Sequence, residues 1–303
     1  MFGPHVNRVH AAGGGRPLLH EHVAAAAREA DDAAGFRVGA AAVFLSGPKS
    51  RAWTADAAER AALAAHVRAR GLRLLVHSTY AAPPWGDDGG AAAAHVRAER
   101  RAAAEAGAEG LVVHLPRLPP ADVAALAARL SRVDAADAGG PGLPRILLEM
   151  PGVAPATAVY HRPAAVDALF RALRAGPDPA LADFGLCVDT AHLWTGGVDL
   201  RSYADAAAWL AGLDAAAGAL PPDCVALHLN DSARALGTGP DTHAALGAGH
   251  IWGGHDAAGT LRDSGLAAFV DHAHRHNLVA ILERQPKDAL AGDYRRLKML
   301  LEQ

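Results

Sequence analysis

Eight times along this chain a short apolar run is followed by a helix-like stretch, and most of the runs stop on a polar or ionisable residue. The runs are Phe2 to Val6, Gly39 to Leu45, Leu72 to His77, Gly110 to His114, Arg145 to Glu149, Phe184 to Asp189, Cys224 to His228 and Leu278 to Glu283. Helical stretches are expected at Pro17 to Ala34, Thr54 to Arg70, Ala91 to Ala106, Ala121 to Ala136, Pro163 to Ala175, Ser202 to Ala217, Ser264 to His276 and Lys287 to Leu300. Thr54 and Ser264 read as helix starts, and Gly71 and Gly107 as stops. Eight strands alternating with eight helices predict an α/β fold, a (β/α)8 TIM barrel forming one domain over residues 1–303, since such barrels typically need ~250 residues. An open doubly wound sheet explains the alternation equally well. It gives no reason for a polar residue at the end of nearly every strand, whereas a barrel brings all eight ends to one mouth. The Gly/Pro-rich pieces Asp137 to Pro144 and Gly176 to Pro179 read as loops rather than linkers.

Composition narrows the chemistry. With 51% hydrophobic and 20% charged residues the chain can bury a large core, which excludes disorder. Alanine-rich stretches such as Ala91 to Ala94 favour helix while blurring its amphipathic pattern. No apolar run approaches the ~20 residues of a membrane helix, and Met1 to His10 lacks the basic-then-apolar layout of a signal peptide, so no membrane association and an intracellular location are expected. Two cysteines, Cys187 and Cys224, exclude a disulfide framework and a thiolate zinc site, and both read as small buried residues on neighbouring strands. Seventeen histidines make imidazole the place to look for chemistry. A net charge of −3 argues against a broadly basic surface, so a nucleic acid would be held by a local patch or by metal ions.

Alternation along a strand puts His77 on the face of Leu75, His114 with Val112, Glu149 with Leu147, Asp189 with Cys187, His228 with Ala226 and Glu283 with Ile281. The apolar members would fill the barrel and the ionisable members would crown it. Asp189-Thr-Ala-His192 and Asp241-Thr-His243 extend the set to nine candidate ligands: His77, His114, Glu149, Asp189, His192, His228, Asp241, His243 and Glu283. Clustered carboxylates repel and raise one another's pKa, so divalent cations are their natural neutralisers. Mixed imidazole and carboxylate ligands suit Zn2+, with Mn2+ also possible, and nine are too many for one ion. Two or three metals is the arithmetic reading. Such a centre with open positions is equipped for phosphoester hydrolysis, where the ions activate water and stabilise the attacking and leaving oxygens. Each residue alone has a plain structural role available, Asp189 as a helix cap for example. Nine together do not.

The segments His77-Ser-Thr-Tyr80, Cys187-Val-Asp-Thr-Ala-His192, His228-Leu-Asn-Asp231, Asp241-Thr-His243, Leu246-Gly-Ala-Gly249 and Ile281-Leu-Glu283 resemble the endonuclease IV family of apurinic/apyrimidinic endonucleases, in order from about His5 to Glu283. The resemblance implies a trinuclear zinc (β/α)8 enzyme of base excision repair. One zinc would rest on His77, His114 and Glu149; a second, bridged by Glu149, on Asp189, His228 and Glu283; a third on His192, Asp241 and His243. It implies cleavage of duplex DNA 5′ to an abasic site, leaving a 3′-hydroxyl and a 5′-deoxyribose phosphate. Glu149 and Glu283 would position the nucleophile and are the candidates to take its proton. The expected location is then cytoplasmic or nucleoid-associated, nuclear in a eukaryote, with the protein a monomer.

The same resemblance makes Arg51, in Lys49-Ser-Arg51-Ala-Trp53, a candidate to fill the vacated position in the duplex, and Tyr80 a DNA contact. Trp85, between Pro84 and Gly86, is either a stacking wedge or a loop tryptophan packed on its own prolines. Departures from the family surround the ligands. Ser78-Thr79-Tyr80 replaces Asp-Ser-Tyr, Leu115-Pro-Arg117 replaces Pro-Gly-Ser, Met150-Pro151 replaces Asn-Thr, and Ala81 replaces a large residue. A sugar isomerase or epimerase on the same barrel is the alternative, since Glu149, Asp189, His228 and Glu283 would serve its one or two ions. Such an enzyme has no use for His192, Asp241 and His243. A silent scaffold would not keep so many buried ionisable groups. His5 is expected beside the site, and the other histidines, His272, His274 and His276 included, carry no role legible in the sequence.

Overall fold

In a computed structural model, described over residues 1–6, 18–85, 90–117, 123–134, 142–175, 183–215, 225–255, 258–284 and 290–302, eight parallel strands close into a ring. They are β1 (Phe2–Val6), β2 (Ala40–Phe44), β3 (Arg73–His77), β4 (Gly110–His114), β5 (Arg145–Glu149), β6 (Gly185–Asp189), β7 (Val225–His228) and β10 (Val279–Leu282). Because β1 pairs with β2 on one side and β10 on the other, the open-sheet alternative is excluded. Gly3 permits that closure: a Cβ there would lie 1.7 Å from the Ala40 carbonyl oxygen.

The outer ring is α1 (Leu19–Ala34), α2 (Ala57–Arg70), α3 (Ala91–Glu105), α4 (Val123–Asp134), α5 (Pro163–Ala175), α7 (Tyr203–Ala215), α9 (Gly265–Arg275) and α10 (Leu290–Leu301). Helix α2 starts at Asp56 rather than Thr54. The Asp56 carboxylate accepts from the Glu59 amide while Glu59 returns to the Asp56 amide, a reciprocal cap unavailable to Thr54, whose hydroxyl donates to the Leu45 carbonyl. Ser264 does occupy the position before α9, but its hydroxyl turns back to the Leu261 carbonyl. Gly71 and Gly107 follow α2 and α3 with positive φ, as expected of stops.

Five smaller elements lie outside the expected stretches, though the first is the helix for which Asp189 reads as a cap, and the Asp189 carboxylate does accept from the His192 amide. Helix α6 (Thr190–Thr195) follows β6 directly, α8 (Ala258–Leu261) precedes α9, and two 3-10 turns, Pro155–Thr157 and Val159–His161, follow β5. The fifth is a hairpin of two-residue strands, β8 (Asp231–Ser232) and β9 (His243–Ala244), over the barrel mouth. These elements are too short for periodicity to register.

Two cores result. Ala40, Ala42, Leu75, Val112, Leu147, Cys187, Ala226, Val279 and Ile281 fill the barrel, with all six of the residues that strand parity had assigned there. A larger core joins the outer strand faces to the helices. Cys187 is a buried free thiol; Cys224 and residues 137–141 and 176–179 lie outside the described residues, as do the expected helical positions 17, 121–122, 135–136, 216–217 and 287–289. Among the described residues no helix is long and apolar enough to cross a membrane.

Candidate metal centre at the barrel mouth

Glu149 stands at the end of β5, fully buried, and four imidazoles face it. Its Oε2 lies 3.1 Å from His77 Nε2 and 2.8 Å from His114 Nε2, and its Oε1 lies 3.0 Å from His228 Nδ1 and 3.3 Å from His192 Nδ1. The two oxygens therefore look toward different donor groups, the geometry a bridging carboxylate needs. Burial pushes this carboxyl up, but His114 and His228 outweigh burial and hold it well below the usual carboxylate range.

Around Glu149 the donors fall into three sets. His77, His114 and Glu149 offer atoms within 4.8 Å of one another, and so do Glu149, Asp189, His228 and Glu283. In the third set, His192 Nε2 and His243 Nε2 approach one oxygen of Asp241, at 3.4 and 3.2 Å. All nine predicted ligands thus meet at the mouth. The hairpin brings in the last: pairing Ser232 with His243 folds the segment after β7 back over the barrel.

The donor chemistry fits divalent ions. Asp189 is fully buried, and burial lifts its carboxyl to about 6 against the pull of His192 and His243. Burial also disfavours charge on His192 and His243, yet Asp189 and Asp241 win and raise them to about 10 and about 9. Without metal, protons neutralise this anionic pocket; cations on the same nitrogens would replace them.

Backbone carbonyls orient the imidazoles. His77 Nδ1 donates to the Ser78 carbonyl (2.8 Å), which turns Nε2 toward Glu149, and His192 Nδ1 donates to the Met150 carbonyl (2.7 Å), which turns Nε2 toward Asp241. A carbonyl does this whatever its side chain, so the Met150-Pro151 departure leaves the device intact. His161, missed in the sequence, donates from Nε2 to the Pro151 carbonyl and fixes the same turn.

Three further residues escaped notice as parts of the site. Asn230 Nδ2 donates to Asp189 (2.8 Å) and Glu283 (3.0 Å), while its Oδ1 accepts from the Glu283 amide, so one side chain spaces two ligands. Asp231 accepts from the amides of Ser232, Gly247, Gly249 and Ile251, and a Cβ at Gly249 would strike its carboxylate at 2.3 Å. Both were visible in His228-Leu-Asn-Asp231, but their partners were not. Glu99 on α3 had no signal beyond being a helical glutamate. It is fully buried behind β3, accepting from the Ser46 and Ser78 hydroxyls, so a carboxylate does stand beside Ser78 although the chain lacks the family's aspartate there.

His5 Nδ1 donates to the Glu283 carboxylate at 3.1 Å, as a neighbour of the site should. Tyr80 is exposed and its ring lies edge-on to His77 and His114, 5.2 and 5.0 Å away. Arg51 Nε donates to the Ala81 carbonyl, beside Tyr80 at the rim. Trp85 is buried with its indole N–H on the His114 carbonyl, which settles it as a packed loop residue rather than a wedge. A cleft of about 630 Å³ runs past Tyr80, His114, His192 and Asp241, with Lys49 and Arg117 on its walls.

The pattern of the xylose isomerase-like TIM barrel family matches residues 28–293. A probable AP endonuclease of African swine fever virus (isolate Tick/South Africa/Pretoriuskop Pr4/1996) is 31% identical over 274 residues, 88% of each chain. The chain belongs to the endonuclease IV family. Among solved structures, that of AsfvAP:AG superposes with a TM-score of 0.89 at 29% identity over 99% of both chains. Endonuclease IV from Thermus thermophilus gives 0.70 at 25% identity, over 99% of this chain and 98% of its own.

Asp231→Ala would strand three amides of the segment 246–251 and that of Ser232. We expect a loss of about 3 kcal/mol or more in urea unfolding, and a change under about 1 kcal/mol would reduce Asp231 to a surface cap. Adding divalent metal to metal-stripped protein at pH 7 should release protons. His192 and His243, raised to about 10 and about 9, are protonated there and must lose a proton to bind metal. Calorimetry in buffers of differing ionisation enthalpy should show up to two protons from this pair, falling toward none above pH 10; pH-independent release would contradict the assignment.

Proposed function

We propose that this member of the endonuclease IV family is a zinc-dependent AP endonuclease. It hydrolyses the phosphodiester 5′ to an abasic site in duplex DNA and leaves a 3′-hydroxyl and a 5′-deoxyribose phosphate. The observation that carries the reading is the third donor set, His192, Asp241 and His243, standing beside the two that share Glu149. A sugar isomerase would be served by Glu149, Asp189, His228 and Glu283 alone. Three zinc ions, with manganese possible at one position, would be held by the nine ligands, and when bound they supply a polarised water and neutralise charge on the phosphoryl oxygens.

The chain's own groups have distinct tasks. Glu149 faces both inner donor sets, so it is placed to fix their spacing and to accept a proton from water held between them. Glu283, held by His5 through one oxygen and by His228 and Asn230 through the other, is the second proton acceptor. Tyr80 and Arg51, at the cleft rim, would contact the DNA around the displaced sugar, and Lys49 and Arg117 offer cations to flanking phosphates. The enzyme so read acts as a monomer on DNA inside the cell, at the nucleoid, or in the nucleus of a eukaryote.

Metal analysis and incision should be measured on one preparation. We expect two to three tightly held equivalents of zinc, partly manganese, and a cut on the 5′ side of an abasic analogue. A fully metallated sample that leaves abasic DNA intact yet isomerises a ketose or aldose would establish the other chemistry. Glu149→Gln should lower incision at least about 100-fold while the unfolding midpoint stays near that of the parent. Arg51→Ala should raise Kd for abasic duplex by about tenfold and for intact duplex far less; equal increases would make Arg51 a plain phosphate contact.

A further inference from the structure

His272 and His276 sit one turn apart at the end of α9, which leads into the N-terminal end of β10, and Asp214 sits near the end of α7. Helices and strands run in opposite directions in this barrel, so all three lie at the end away from the mouth. The two rings are 4.5 Å apart. His272 Nδ1 is 3.8 Å from Asp214 Oδ2 and His276 Nε2 is 3.8 Å from Asp214 Oδ1, too long for hydrogen bonds. His276 Nε2 is buried and makes no hydrogen bond. One donor atom from each residue falls within 4.8 Å of the others.

Three donors around one small volume, facing one another without bonding, have the spacing a cation would close. Ligands of a tetrahedral zinc stand about 3.3 Å apart, so drawing these donors together around an ion would convert the present arrangement into a chelate. Imidazoles at i and i+4 on a helix present their nitrogens to one face. His276 also caps α9, where the helix dipole is negative and favours positive charge.

We propose that Asp214, His272 and His276 form a further divalent-metal site, separate from the barrel mouth. It takes borderline transition ions of the Zn2+, Ni2+ and Cu2+ class rather than Mg2+ or Ca2+, because two of its three ligands are imidazoles. The ion clamps α7 to the end of α9, two helices that pack along each other, and a water completes the coordination. Three protein ligands and partial exposure make it weaker than the mouth and able to exchange with solvent.

The test compares the full-length, mouth-loaded protein with His276→Ala and Asp214→Asn after equilibration with micromolar free Zn2+. The parent should hold one equivalent more than either variant by elemental analysis. Added Zn2+ should raise its thermal midpoint by several degrees while leaving the variants unmoved. Co2+ in place of Zn2+ should give the parent an extra visible absorption that the variants lack. Incision of abasic DNA should be equal in all three. Equal metal content together with an equal thermal response would overturn the proposal. Because the readout is the difference between parent and variant, it holds whatever number of ions the mouth carries. His276 is partly exposed, so its replacement spares the core that His272→Ala would disturb.

Discussion

A carboxylate buried at the mouth of a barrel is the constraint on which the site depends. Glu149 has no solvent to support its charge, and burying such a group unpaired would cost several kcal/mol. Imidazoles from β3, β4, β7 and α6 answer it, two on each oxygen. Two of those imidazoles, His192 and His228, are drawn as well by Asp189, Asp241 and Glu283, so their protons are shared with these carboxylates. Cations substitute for those shared protons, which couples metal loading to pH.

Precision comes from parts that do not touch the ions. Main-chain carbonyls of Ser78 and Met150 set which nitrogen of His77 and His192 faces inward. Asn230 fixes the distance between Asp189 and Glu283. Asp231, on β8 three residues beyond His228, ties the mouth hairpin to the segment 246–251. The departures from the family at Ser78 and Met150 fall at positions where the backbone, or a carboxylate from elsewhere, performs the local task. This is why the ligand geometry persists through them.

Histidine abundance was a blunt indicator. Five imidazoles enter the mouth, His5 buttresses it and His161 pins a turn, while His272 and His276 face Asp214 at the opposite end. Position on the fold, not residue type, separates these roles. Trp85 makes the same point: its sequence neighbours allowed a wedge, but its indole N–H is committed to the His114 carbonyl.

The eightfold strand–helix alternation and the polar strand ends pointed to the barrel, and strand parity gave six of its inward-facing residues and six of the nine donors, because a two-residue period maps directly onto the faces of a strand. Motif spacing supplied the other three. Tertiary structure decided what links distant parts of the chain: the closure of β1 onto β10, the Glu99 carboxylate behind Ser78, the β8–β9 hairpin carrying His243, and the meeting of Asp214 with His272 and His276. The physical reason is common to all four. Each depends on which surfaces pack together once the core has formed, and local periodicity carries no record of that.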